Sequence, residues 1–255
     1  TNYGYYFAYA EPGITLEEIE NKIFYLKTKI HSPAKLAGTL TLVHETLDQV
    51  RSPRKAWRYQ AGERRLRRVP NLAYGTDLPT TASLRTVDQK DMYNGAPDRY
   101  DWKLNGKREM FVSYNNFELA SPDVKYDQIF KAGHINQDLV RYELHRVWDV
   151  EATVKPGERH IYAKRHVFLD EDSWQAAHID HYDARGELWR VAEAETLQRF
   201  PDKVPSYAME TLYDLMAGRY LAMGMNNEER SNYDYSYKAS SNDFTPTALR
   251  QAGVR

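Results

Sequence analysis

At 255 residues the chain is long enough for one large β domain, because sandwiches and barrels of that length form single units. Hydrophobic residues make up 42% and charged residues 28%, and no run approaches the roughly 18 apolar residues of a membrane-spanning helix. Cysteine is absent, which excludes disulfides, thiolate metal sites and a cysteine nucleophile, and a net charge of -1 gives no overall pull toward nucleic acid or anionic membrane.

The 20 tyrosines, with Phe and Trp, suit pleated, half-buried surfaces and point to a β-rich fold. The chain opens on Thr1 without a charged n-region or apolar h-region, so any signal peptide is expected to lie outside it. Thr15 and Glu18 form a capping-box pattern with Ile14 and Ile19 at the staple positions, which predicts a short helix from Leu16. Ile19, Ile23, Leu26 and Ile30 keep helical spacing, whereas Phe24, Leu26, Thr28 and Ile30 alternate, so helix is expected to give way to strand before Ser32-Pro33.

From Gly38 onward strands dominate. Thr39 to Leu47 alternates, and residues 53–60 and 63–69 read as a hairpin around Ala61-Gly62, with the glycine expected to take the positive φ of the turn. Pro70 to Asn105 lacks a sustained period and reads as a long connection with short helical turns that covers something. Lys107 to Asn115 reads as a strand, and Ser121-Pro122 as the start of a helix ending near Lys131. From Leu139 to Phe200, four alternating runs are broken at Pro156-Gly157, at residues 170–172 and at residues 184–186, which predicts consecutive antiparallel hairpins. In the first run Tyr142, Leu144, Trp148, Val150, Ala152 and Val154 share a core face, while Arg141, Glu143, His145, Asp149 and Glu151 share a face expected to meet water. Two strands are expected within residues 206–225 around Gly218, and Thr245-Pro246 opens a helix that stops at Gly253.

His178, Asp180, His181 and Asp183 offer two imidazoles and two carboxylates, but alternation sends His178 and Asp180 to one face and His181 and Asp183 to the other. A metal-dependent hydrolase using His178 and Asp180 is therefore the weakest alternative, and no metal site or cofactor is assigned. Asp170, Glu171 and Asp172 sit at a hairpin turn, where Asp bonds to nearby backbone N–H groups. With no nucleophile elbow, Walker A, Rossmann glycine fingerprint or zinc-protease motif, no catalytic residue is assigned and the chain does not read as an enzyme. The hairpin holds Arg51, Arg54, Lys55, Arg58, Arg64, Arg65, Arg67 and Arg68 against Glu63 alone, a local charge of +7 that leaves -8 elsewhere. Such a stripe, with Trp57 and Tyr59 interleaved, suits an acidic partner surface, a lipid headgroup or acids elsewhere on the same protein.

Several strings carry a resemblance: Ala56-Trp-Arg-Tyr59 with Arg64 to Arg68, Met92 to Trp102, Arg141 to Trp148, Arg159-His-Ile-Tyr162, Asp170 to Trp174, Tyr182 to Arg190 and Asp243-Phe-Thr-Pro246. From about Gly38 onward the chain resembles a family of Gram-negative envelope proteins catalogued as a domain of unknown function. That family is similar in fold to the periplasmic Lol-type lipoprotein carriers and the outer-membrane lipoprotein-sorting proteins. The Trp-x-Tyr and Arg-Arg pairing followed by the Asp88 to Asp91 stretch is similar to those sorting proteins. The resemblance implies a mainly β (α+β) fold: a large curved antiparallel sheet forming an incomplete barrel, with short helices over the concave face. It also implies a single half-barrel domain over residues 1–255, lacking N-terminal strands of a longer periplasmic protein.

The function expected on this basis is a periplasmic carrier or chaperone that holds a lipid, a lipoprotein acyl chain or another hydrophobic molecule. Its apolar cavity is expected to draw on Trp57, Tyr59, Met110, Leu144, Trp148, Val150, Phe168 and Trp189, each of which also serves as ordinary core. The alternative is an interaction module that docks on a membrane transporter or outer-membrane partner through Arg54, Arg58, Arg64, Arg65, Arg67 and Arg68. Nucleic acid is not an expected partner.

Overall fold

The computed structural model describes residues 2–10, 12–69, 75, 81–230 and 233–254. Within the long connection expected over residues 70–105, positions 70–74 and 76–80 lie outside the described residues. The fold is mainly antiparallel β, in a five-stranded and a seven-stranded sheet with few helices, and neither sheet closes into a barrel among the described residues. The chain gathers into two compact units, Thr1–Thr76 with Ser236–Arg255, and Asp77–Tyr235. Among the described residues no helix is long and apolar enough to cross a membrane.

The first unit carries β1 (Asn2–Phe7), β2 (Lys22–Lys29), β3 (Leu40–Thr46), β4 (Lys55–Gln60) and β5 (Arg65–Val69), in that order across the sheet. The predicted capping box forms, with Thr15 N–H donating to Glu18 Oε2 at 2.8 Å and Glu18 N–H to Thr15 Oγ1 at 3.4 Å. It starts only a turn, because Glu20 and Asn21 adopt φ of 50° and 60°, left-handed values that end a helix and release the chain into β2. In the basic hairpin the left-handed residue is Arg64, with φ 51°, and not Gly62, so the loop runs from Ala61 to Arg64. The C-terminal helix α1 (Pro246–Val254) begins as read, with Ala248 N–H donating to Thr245 Oγ1. It closes a core of Leu40, Leu42, Tyr59, Phe244 and Leu249.

The second unit carries β6 (Tyr100–Ser113), β7 (Tyr142–Val154), β8 (Lys164–Asp170), β9 (Ala176–Tyr182), β10 (Leu188–Arg199), β11 (Val204–Asp214) and β12 (Arg219–Met223), joined as successive hairpins. β6 starts seven residues earlier than its predicted start at Lys107. The helix expected from Ser121 shrinks to one turn, Tyr126–Ile129, because the Ser121 hydroxyl caps only a local turn at Asp123. Register shifts beside Gly106, Leu169, Arg190 and Thr196 bend the sheet, as bulges do. The end of β6 thereby reaches β10, where Thr196 Oγ1 donates to Ser113 O at 2.7 Å and Asn116 N–H to Thr196 O at 3.1 Å.

This bending corrects the one-sided reading of the first alternating run. The face expected to meet water holds Val147, fully buried, and Asp149, 8% exposed, while Leu144 on the expected core face is 58% exposed. Buried clusters lie on both sides of the sheet. Met92, Val167, Ala176, Ile179, Ala192, Ala194 and Leu212 form one, and Val112, Tyr114, Val147, Phe168 and Ala177 the other.

One contact in the first unit makes a direct test of its packing. A Cβ added to Gly253 would stand 2.3 Å from a ring carbon of the buried Tyr59, so helix and sheet meet there without room for a methyl group. Gly253→Ala is expected to cost about 1 to 3 kcal/mol of stability by overpacking. Urea unfolding checks this, and Tyr59→Leu in the same chain should return part of the loss.

Candidate functional site

The seven-stranded sheet places two chemistries on one of its sides. Antiparallel register puts Ala152, Arg165, His181, Arg190 and Asp214 in one row across five strands, and the row Val150, Val167, Ile179, Ala192 and Leu212 beside it. Residues 81–99 run over these rows as a strap that buries Leu84, Val87, Asp88, Gln89, Met92 and Ala96.

The charged row holds the strap. Arg165, fully buried, donates to Asp88 Oδ2 at 2.7 Å, and Arg190 reaches Asp214 at 3.1 Å and the carbonyl of Leu84 at 3.2 Å. Burial alone would raise the Asp88 pKa, but the charge of Arg165 and hydrogen bonds from His160 and Thr86 override it and hold the carboxyl far below its ordinary range. Burial lowers the pKa of His160, and Tyr162 N–H donates to its Nδ1, so the neutral ring carries its proton on Nε2, 3.2 Å from Asp88. Gln89 Oε1 accepts from Thr86 N–H and from Tyr162 hydroxyl, which leaves its amide to donate to His181 Nε2 at 3.0 Å. Burial drives the His181 pKa well down, so this imidazole stays neutral too. Tyr93, Tyr100 and Tyr162 surround the guanidinium of Arg165 at 5.1 to 5.2 Å. Gly95 allows the strap to fold back, since a Cβ there would lie 2.7 Å from Asp88 Cβ.

Beyond the strap the same side opens into an apolar groove of about 590 Å³. Val150, Val167, Leu169 and Ala176 line its base, and Tyr93, Trp102, Trp174 and Tyr207 its walls. Trp102 donates its indole N–H to Pro97 O at 2.8 Å and meets Tyr93 edge-on at 5.5 Å, so this wall is fixed. Trp174 is 66% exposed, has φ of 59°, and stacks on Trp148 at 6.2 Å.

The opposite side is polar where the groove side is apolar. Glu151 meets His166 at 2.8 Å and Asp180 meets His178 at 2.9 Å, while His181 points to the strap. The four His and Asp positions of residues 178–183 therefore do not converge. Glu193 accepts from the Tyr142 hydroxyl at 2.9 Å, and Glu195, fully buried, accepts from Thr211 through Oε1 while Oε2 has no hydrogen-bond partner among the described residues. Burial raises the pKa of both, and Glu193 raises that of Glu195 further.

Of the eight residues expected to line a cavity, Val150 does so. Trp148 buttresses Trp174 beside the groove. Phe168 and Met110 pack in the cluster on the other side of the sheet, Leu144 is exposed, and Trp189 lies 4.2 Å from the Arg190 guanidinium and edge-on to Tyr162. Trp57 and Tyr59 belong to the core of the other unit. The walls contributed by Tyr93, Trp102, Trp174 and Tyr207 were not anticipated, because three of them lie in loops or at a strand end where no period marks a face.

Among the expected arginines, Arg54 is tied to the buried Glu45 at 2.7 Å and Arg67 to Glu63 at 2.6 Å. Arg58, Arg64, Arg65 and Arg68 are exposed, and Arg58 stands directly opposite Arg67 on paired strands.

These ionisations fix how stability depends on pH. His160 and His181 have depressed folded-state values, so their contribution is lost as pH falls below the ordinary 6.5. Glu193, Glu195 and Glu210 have raised values, so stability is lost as pH rises above the ordinary 4.5. The maximum is expected between those two values, and Glu195→Gln should stabilise the protein at pH ~8 by about 1 kcal/mol or more. Urea unfolding across pH checks both; a variant less stable than the parent at alkaline pH would contradict the assignment.

The comparisons with known proteins agree with this architecture. The chain is 63% identical over 237 residues to the uncharacterized protein PA3922 of Pseudomonas aeruginosa, which covers 92% of this chain and 52% of that protein. It thus spans about half the length of that relative. In fold it is similar to a crystal structure from Vibrio parahaemolyticus described as an outer membrane lipoprotein-sorting protein domain, with TM-score 0.59 and 15% identity over 91% of this chain and 79% of that one. A DUF1329 family protein from Desulfovibrio piger matches with TM-score 0.56 and 16% identity over 92% and 80% of the two chains. The model of the family described as "Protein of unknown function (DUF1329)" matches residues 1–250, and the chain belongs to that family.

Proposed function

We propose that this protein is a carrier or chaperone of the bacterial periplasm that shelters a hydrophobic molecule, such as a lipid or a lipoprotein acyl chain, in the groove beside Val150. The observation that carries this reading is the hollow of about 590 Å³, apolar at its base and walled by aromatic rings. Its size falls within the range of small-molecule sites, roughly 300 to 1,000 Å³. Each methylene buried there contributes about 0.8 kcal/mol, so a chain of several methylenes binds without any reaction or cofactor. The likeness to a fold described for lipoprotein sorting supports both the ligand class and the periplasmic setting. The buried charges beside the groove are spent on holding the strap, which favours binding over catalysis.

A second reading is favoured by one observation, the apposition of Arg58 and Arg67. Glu63 neutralises Arg67, and Arg58 opposite it is exposed together with Arg64, Arg65 and Arg68, which leaves a cationic face on the hairpin. In that reading the hairpin docks on an acidic surface of a membrane transporter or outer-membrane protein.

The carrier reading is tested by titrating the protein with the apolar probe N-phenyl-1-naphthylamine and by mass spectrometry of its organic extract. Saturable binding is expected, and Trp174→Ala, at an exposed position, should weaken it about tenfold, equivalent to ~1.4 kcal/mol. An extract without lipid together with no probe binding would end the carrier reading.

A further inference from the structure

We infer that His145, Asp170 and Asp172 form a binding site for a divalent transition-metal ion of the Zn²⁺ or Mn²⁺ class. Each of the three offers one ligand atom, and these atoms lie within 4.8 Å of one another. They come from two elements, His145 from β7 and the aspartates from the end of β8 and the turn that follows it. His145 Nδ1 lies 2.9 Å from Asp170 Oδ1. Two adjacent ligands at right angles, each about 2.1 Å from an ion, stand about 3 Å apart, so this spacing already suits coordination.

The first two ligands are held in place. Asp170 is fully buried, and its Oδ2 accepts from the Ser173 backbone N–H at 2.9 Å and hydroxyl at 2.6 Å, which aims Oδ1 at His145. The imidazole lies against the Tyr114 ring with centroids 4.1 Å apart, and Tyr114 is itself fixed by Gln198 at 2.6 Å. Partners of this kind orient metal ligands and raise affinity.

Charge supplies the second, independent argument. Arg146 and Lys107 both pair with the intervening Glu171, and Arg141 pairs with Glu143. Among the described residues no Lys or Arg lies within ion-pair distance of Asp170 or Asp172, and the charge of Arg146 reaches Asp172 only from its pair with Glu171. A divalent ion would bring positive charge directly to both carboxylates. One imidazole with two carboxylates and no thiolate suits Zn²⁺, Mn²⁺, Co²⁺ or Ni²⁺ better than Ca²⁺. The exposed Asp172 side leaves coordination positions open to water.

The site stands on the other side of the sheet from the lipid groove, so its test is independent of the carrier reading. Untagged, chelator-treated protein is titrated with ZnCl₂ and MnCl₂ by calorimetry, with tryptophan emission followed in parallel because Trp174 lies two residues beyond Asp172. One saturable ion per chain is expected, with an emission change that Trp174→Phe removes. Asp172→Asn, at an exposed position and checked for folding by circular dichroism, should weaken binding by more than the roughly tenfold that loss of an outer partner costs. His145→Gln should abolish it, and His178→Ala should leave it unchanged. Absence of saturable binding, unaltered affinity in Asp172→Asn, or loss of binding in His178→Ala would each overturn the assignment.

Discussion

The ion pair between Arg165 and Asp88 is the contact on which the rest of the second unit depends. Both side chains are removed from water, 2.7 Å apart, and they join residues that lie 77 positions apart in sequence. Taking one charge out of water alone is prohibitive, and leaving either member without the other would cost roughly 3 to 5 kcal/mol. The pair therefore specifies where residues 81–99 lie on the sheet, since any other placement would strand a guanidinium in the interior. Arg190 repeats the device two strands away, binding Asp214 with one nitrogen and the Leu84 carbonyl with another. Neutral His160 and His181 fill the space between without adding charge, because burial keeps their pKa values low.

This arrangement explains which parts were legible in the sequence. The hairpins from β7 to β10 were readable because each strand alternates and each turn is marked, by Pro156-Gly157 or by the Asp183 carboxylate that accepts from two backbone N–H groups. The strap was readable only as an excursion without period. Its partner residues were hidden because a buried arginine and a surface arginine look alike in composition. A signal did exist: Arg165 is in phase with Val167 and Leu169, and His181 with Ile179, so charge intrudes on an apolar face. An in-phase charge on a face that must be covered requires a buried counter-ion from elsewhere, and Asp88 supplies it. The same reasoning applies to Arg54, which reads as part of a basic stripe but is neutralised by Glu45 at 1% side-chain exposure.

The candidate groove was legible only in kind. Alternation identified apolar faces, but which of them stays uncovered depends on where the strap stops, and that follows from long-range contacts. Val150 was recoverable because it lies in the middle of a strong period, while Tyr93 and Trp174 were not, since a turn residue has no face. Trp57 and Tyr59 failed for another reason: aromatic residues that stud a basic hairpin here pack a core closed by α1.

The groove exists because the strap fills only part of the side it crosses. Its first half is occupied by the charged row and its middle by Met92, which seals Ile179, Ala192 and Leu212. After Met92 the backbone reverses at Gly95 and runs through Pro97 to Tyr100, whose hydroxyl donates to Tyr162 O at 3.0 Å and so draws the chain back toward the charged end. Leu169 and Ala176 then lie at the base of the hollow, where the small side chain at 176 leaves depth. Tyr207 bounds the hollow on the far side and also lines a second one of about 390 Å³ that includes Phe117 and Phe200. Burial keeps its phenol protonated, so the wall between the two hollows is a neutral ring. The hydrogen bonds that secure the strap at one end are thus the reason an apolar surface remains open at the other.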